Sequence, residues 1–314
     1  MDELRLPSAI ENSECVLVAG AGGGFDVYAG LPIYERLRLL GKRVFLANLS
    51  FVSLGTTNAQ PLTQALYSVQ PTTTGQELYF PERALAQFLS RGKQSATVYA
   101  FERLGVVPIR EGYAHLVQSL GLDAIVLVDG GTDILLRGDE SGLGTPSEDM
   151  ASLAAVAGVN VPTRVVGCVG FGVDTYHGVC HAHWLENVAA LAAEGAFLGA
   201  AALLERMPEV RFYVDAVNAA DLATSERPSI VNGSIVSAIE GHFGDYHRNP
   251  RTQSSKLFIN PLMSLLWAFD LAAVARRNLY LDRLAGTQTI REVHLAIEYF
   301  RETVRSRPWE AIPH

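Results

Sequence analysis

Apolar residues in this chain fall into short unbroken runs, separated by stretches where they recur every third or fourth position. "CVLVAG" (15–20) and "DAIVLVDGG" (123–131) have the form of strands buried on both faces. "RVFLANLSF" (43–51) and "TRVVGCVGFG" (163–172) predict two more. Helical spacing appears between them. "LPIYERLRLLG" (31–41) carries Pro32 in its first turn and Gly41 at its end, and "MASLAAVAG" (150–158) stops at Gly158. "VPIREGYAHLVQSLG" (107–121) also ends as a helix. The pattern predicts one long helix over 181–207, interrupted near Gly195, and a strand over the alternating "EVRFYVDAVNAA" (209–220). "SIVNGSIVSAIEGHFG" and "INPLMSLLWAFDLAAVARRN" read as helices, and "IREVHLAIEYFRETVRS" (290–306) as an amphipathic closing helix.

Strands alternating with helices predict a doubly wound, mostly parallel, Rossmann-like α/β fold, with helices on both faces and more at the C-terminal end. No stretch reads as a linker, so residues 1–314 are expected to form one domain. Residues 52–95 are rich in Thr, Gln and Ser and lack clear periodicity outside "PERALAQFLSRG" (81–92). Such a stretch reads as a cap or an active-site loop insertion.

Composition narrows the function classes. Hydrophobic residues make up 48% and charged residues 18%, which suits a core-rich soluble chain. The net charge of -8 argues against broad nucleic-acid binding and against anionic membranes. Cys15, Cys168 and Cys180 show no disulfide spacing, and the polar start is no secretory signal, so a cytoplasmic setting is expected. "NVAALAAEGAFLGAAALLERM" is hydropathic, yet Glu194 and its many alanines point to a packed helix rather than a membrane span. The apolar C-terminal helices serve either the core or a homo-oligomer interface.

Three predicted strands run into glycine and aspartate. Ligands of open parallel sheets bind beyond the carboxyl ends of the strands, so these loops converge if their strands are neighbours. In "GAGGGFD", Gly20, Gly22, Gly23 and Gly24 leave room for backbone amides to reach a phosphate, with Asp26 facing the same ligand. Phe25 breaks the dinucleotide fingerprint and no Lys-Ser/Thr follows for a Walker loop. A tight turn needing positive φ is the other reading. "VDGGTDILLRGDESGLGTPSEDM" (128–150) offers Asp129 and Asp133 as ligands of Mg²⁺. Asp129 would serve ribose hydroxyls equally well. Gly130, Gly131, Thr132 and Arg137 are candidates for the bound ligand itself. Glu140, Glu148 and Asp149 read as solvated charges or caps, beside Thr145, Pro146 and Ser147 at a helix start.

In "GFGVDTYHGVCHAHWLEN" (170–187), His177 with Asp174 is the candidate acid/base pair. A Zn²⁺ site from His177, His181 and Asp174 is the rival, although no familiar zinc spacing is present. Arg248 and Arg251 would clamp an anion if they faced the pocket, and otherwise face solvent. Met263 and Trp267 read as core positions of one helix, and Cys168 as an inert buried thiol.

"GAGGGFDVYAGLP", "VDGGTDILLRGDESGLGTPSED", "GFGVDTYHG" and "FINPLMSLLWAFDL" together resemble a family of archaeal and bacterial proteins known as a domain of unknown function, family eleven fifty-two. The resemblance spans nearly the whole chain and implies one α/β domain with a glycine-rich ligand loop. It implies no activity. "GGGFD" and "DGGTD" are also similar to the glycine-aspartate loops with which phosphofructokinase-like and NAD kinases hold nucleotide phosphates and Mg²⁺. Here the order is Asp-Gly-Gly-Thr-Asp rather than Gly-Gly-Asp-Gly. The expected function is Mg²⁺-dependent group transfer or hydrolysis on a nucleotide or sugar phosphate. The alternatives are a non-catalytic nucleotide sensor and a zinc hydrolase using His177 and His181.

Overall fold

Each unbroken apolar run forms a strand, and hydrogen bonding joins the strands into one sheet. The computed structural model describes residues 3–75, 78–92 and 96–312. Residues 76–77 and 93–95 of the 52–95 stretch lie outside the described residues. The strands are β1 (Cys15–Gly20), β2 (Arg43–Leu49), β3 (Gln60–Pro61), β4 (Leu66–Val69), β5 (Val98–Phe101), β6 (Ala124–Asp129), β7 (Thr163–Cys168), β8 (Phe197–Ala202) and β9 (Leu265–Asp270). Their order across the sheet is β3-β4-β5-β2-β1-β6-β7-β9-β8. The central strands β5, β2, β1, β6 and β7 are parallel, and antiparallel pairs extend both edges. This is a mixed-sheet, Rossmann-like α/β fold. The order of its parallel strands reverses between β1 and β6, which is the crevice where such sheets bind ligands.

The alternation of side chains across each strand builds two cores. Leu17 and Ala19 of β1 join Ile125 and Leu127 of β6 on one face, under the helices Val106–Leu120, Pro146–Ala157 and Ile290–Thr303. Val16, Val18, Val126 and Val128 point to the other face, under Leu31–Leu39, Pro81–Leu89 and Pro208–Ala223. Both faces are covered, which is why these strands carry apolar runs rather than alternating polarity.

The structure corrects three sequence-based elements. The expected long helix ends at Ala193, Gly195 turns the chain at φ 71°, and residues 197–202 form β8. Aromatic packing explains this strand, since Phe197 lies 5.2 Å from Phe269 and 5.9 Å from Trp267 of β9. Conversely, 209–220 is helical. Pro208 opens the helix, and Val210, Tyr213, Ala216, Val217 and Ala220 form its buried stripe. Trp267 lies on β9 and Met263 in a short 3-10 turn, so they share no helix, although Met263 is buried as expected. The 52–95 stretch is also less irregular than expected, because β4 pairs with β5 and β3 folds back on β4. Among the described residues, no helix is long and apolar enough to cross a membrane.

The β9 assignment is directly testable. Phe269→Ala should cost about 3–5 kcal/mol in chemical denaturation, because the ring is fully buried and packs against Phe197. Leu295→Ala, on the exposed side of the closing helix, should stay within about 0.5 kcal/mol.

Candidate functional site

The neighbours β1, β6 and β7 bring their three loops to one sheet edge, as the sequence led us to expect. β1 ends at Gly20, and the Ala21 amide donates to the Val128 carbonyl of β6 at 2.9 Å. The chain then turns through Gly23 (φ 94°) and Gly24 (φ 64°) into the short helix Asp26–Ala29. Asn48 of β2 fixes this turn. Its Nδ2 donates to the Gly24 carbonyl at 2.8 Å and to Glu82 Oε1 at 2.7 Å, and its Oδ1 accepts from the Val27 amide at 3.3 Å. Glu82 is fully buried, and burial pushes its pKa up to about 7. Phe51 and the Tyr79 hydroxyl lie against Gly24, so flanking segments of the 52–95 stretch wall the glycine loop.

The glycines make room mainly for carboxylates. A side chain on Gly22 would put its first carbon 2.8 Å from oxygens of both Asp26 and Asp149. One on Gly131 would sit 2.9 Å from oxygens of both Asp129 and Asp174. The Gly22 amide donates to Asp26 Oδ2 at 2.6 Å, and the Gly24 amide donates to the Leu49 carbonyl at 3.1 Å. Of the three consecutive glycines, only Gly23 keeps an amide without an internal acceptor among the described residues.

Five aspartates meet here. Asp26, Asp129 and Asp149 each offer an oxygen within 4.8 Å of the others, a spacing that one metal ion can bridge. Asp129 Oδ2 accepts from the Ile134 amide at 3.1 Å, while Asp149 Oδ1 is buried without any partner. Asp133 and Asp174 are each tied by a threonine. The Thr145 amide reaches Asp133 Oδ2 at 2.7 Å, and the Thr132 amide reaches Asp174 Oδ2 at 2.7 Å. Burial is the largest cause of the raised pKa at all five, and repulsion from neighbouring carboxylates adds to it at Asp26, Asp129, Asp149 and Asp174. Asp26 is held at about 7 even though the Gly22 hydrogen bond pulls it down. Among the described residues, no lysine or arginine pairs with any of the five. The arrangement therefore concentrates hard oxygen ligands and negative charge where Asp129 and Asp149 are buried and Asp26 half-buried, the condition that favours a divalent cation.

The other sequence candidates distribute less evenly. Gly130 lies against Asp26, and its amide lowers the pKa of that carboxyl. Arg137 stays outside the cluster, paired with Asp139 at 3.1 Å. His177 is exposed on the turn that follows Asp174 and packs edge-on against Tyr176. His181 Nε2 hydrogen-bonds Thr175 at 2.9 Å, and burial lowers its pKa. No histidine belongs to the three-carboxylate cluster among the described residues. Arg248 pairs with Glu240 at 2.7 Å, and Arg251 donates to the Pro228 carbonyl at 2.8 Å. Cys168 is buried, with its pKa pushed well up by desolvation.

All three acids set aside as solvated charges or caps need correction, since each is buried. Asp149 is buried inside the cluster. Glu140 is fully buried too, but as a structural acceptor for the amides of Arg137 and Gly138 and for Asn187 Nδ2. Glu148 pairs with Arg103 at 3.0 Å. Thr145 makes no side-chain cap on the helix and bonds Asp133 instead. Asn48 and Glu82 were missed. An asparagine inside the apolar run "VFLANL" was the one available sign, because buried polar side chains require partners.

No curated protein and no solved structure matches this chain. Residues 56–301 match the model of a family described as "Protein of unknown function (DUF1152)". The matched stretch holds Asp129, Asp133, Asp149 and Asp174, whereas the glycine loop and Asp26 precede it. The match covers well over half of the sequence, and the chain belongs to the DUF1152 family.

Proposed function

We propose that the protein binds a nucleotide or another phosphorylated, ribose-like metabolite through Mg²⁺ and catalyses group transfer or hydrolysis at its phosphate. The observation that carries this reading is the convergence of Asp26, Asp129 and Asp149, with one Asp149 oxygen buried and unpartnered. Mg²⁺ prefers oxygen ligands and completes its shell with waters and substrate phosphates, which suits a site of few carboxylates at the sheet's binding crevice. Bound there, the ion would neutralise charge developing on a phosphate and acidify a coordinated water. The chain's own groups would orient the substrate. The free Gly23 amide would donate to a phosphate oxygen, and Asp133 and Asp174 would hold their loops in register through Thr145 and Thr132. His177 would exchange the proton at the mouth. Its exposure, and the absence of a hydrogen bond to Asp174 among the described residues, favours a second reading in which the same pocket senses its ligand without turnover.

The metal has a pH signature. Stability contributed by carboxyls with raised pKa is fully present below the reference value of 3.8 and lost as pH rises, for Asp26 through about 7. Metal-free protein should therefore lose melting temperature between pH 5 and pH 8, taken as about the span over which such groups ionise. Mg²⁺ at a hundred times its Kd should restore about 2.7 kcal/mol at the upper end, or roughly 5 °C, and much less at the lower end. Asp149→Asn should abolish the Mg²⁺ shift and raise the melting temperature of the metal-free protein at the upper pH. An Mg²⁺-insensitive wild type there would overturn the metal assignment.

The substrate class is read from melting temperature and turnover across nucleotides and sugar phosphates, with and without Mg²⁺. A Mg²⁺-dependent response to one class, lost in Asp129→Asn with native circular dichroism, is the expected result. Full turnover in both Asp26→Ala and Asp129→Ala would sink the proposal. His177→Ala should lower turnover about 10²–10⁴-fold at unchanged ligand affinity. Equal affinity with no turnover in either protein selects the sensor.

A further inference from the structure

A second concavity lies at the opposite edge of the sheet, beside the amino ends of β2 and β5, with a volume of about 650 Å³. That volume is in the range of small-molecule sites. Three half-buried rings packed on one face of the sheet line it, Tyr34, Phe88 and Phe212, while Phe45 and Tyr99 border it from strand positions whose side chains pack on the other face. Tyr34 and Phe212 are nearly parallel, with centroids 6.2 Å apart and planes at 26°. Phe88 meets Phe212 edge-on at 5.3 Å. Phe45 and Tyr99 stand 6.5 Å apart on neighbouring strands. Folding has gathered Tyr34, Phe88 and Phe212 yet left each partly open to solvent, and such apolar concentration marks a binding surface.

Two arginines share the lining, and their charges are not equivalent. Arg38 is held by both oxygens of Glu35 at 2.7 Å, which cancels its charge locally. Arg91 lies 5.4 Å from the centre of the Phe88 ring and makes no ion pair among the described residues. Among the described residues the lining therefore carries one uncompensated positive charge, in a chain whose net charge is -8. A neutral aromatic guest would leave that guanidinium partly desolvated and unpaired. A nucleotide would bring several negative charges to a wall that, among the described residues, offers one compensating charge and no lining carboxylate for a metal.

We propose that this concavity binds a small planar aromatic monoanion, an aryl carboxylate or sulfonate. Its ring packs offset among Tyr34, Phe88 and Phe212, and its acid group meets Arg91. The site is separate from the carboxylate cluster and does not depend on the function proposed for it.

Titration calorimetry of the full chain with 1-naphthoate and its neutral analogue 1-naphthalenemethanol tests this. We expect one saturable site per chain and an affinity for naphthoate at least about tenfold higher, the scale of one charge-assisted hydrogen bond. Arg91→Gln, at an exposed side chain, should erase that preference while the neutral compound binds as before. Asp149→Asn should leave naphthoate binding unchanged, which keeps this result independent of the metal site. Absence of saturable binding, equal affinity for the two compounds, or a preference that survives Arg91→Gln would overturn the proposal.

Discussion

A carboxylate taken out of water and set beside others must take up a proton or find a cation. The ends of β1, β6 and β7 place Asp26, Asp129, Asp133, Asp149 and Asp174 under that condition. Much of the local architecture makes their convergence feasible. Gly22 and Gly131 each withhold a side chain where two acids must pass, and the amides of Thr132 and Thr145 hold Asp174 and Asp133. The helix Pro146–Ala157 points its amino end into the cluster, and the positive end of its dipole partly offsets Asp149.

The same burial that destabilises ionised aspartates stabilises the sheet. Residues such as Val18, Leu127 and Val166 are fully enclosed, each worth about 1.5–3 kcal/mol relative to exposure. Their enclosure demands helices on both faces, and those helices seal the lower part of the crevice from water. Scaffold stability and the electrostatic demand of the site thus come from one arrangement. A bound cation would relieve the second without loosening the first.

What could be read in the sequence was whatever depends on local pattern. Apolar runs located four of the five central strands, β5 excepted, and Gly-Asp punctuation after three of them located the crevice, since neighbouring parallel strands deliver their loops to one edge. What escaped depends on partners distant in the chain. "FLGAAA" is a strand because Phe269 and Trp267 await it on β9. "EVRFYVDAVNAA" alternates like a strand, but its buried stripe matches the helices it packs against. Asp149 looks like any acid in a first helical turn, and only the approach of β1 and β6 reveals what it faces.

Asn48 has a kinetic implication. One side-chain amide joins the glycine loop, the first turn of the following helix and the buried Glu82 of another helix. Displacing the loop would break these bonds together and strand polar groups inside the core, so this wall behaves as a fixed template rather than a flap. Among the described residues, the turn from Thr175 to Gly178 is the exposed part of the third strand-end loop, and it closes on Gly178 at positive φ. A ligand held at this wall would be sorted by shape against a rigid surface.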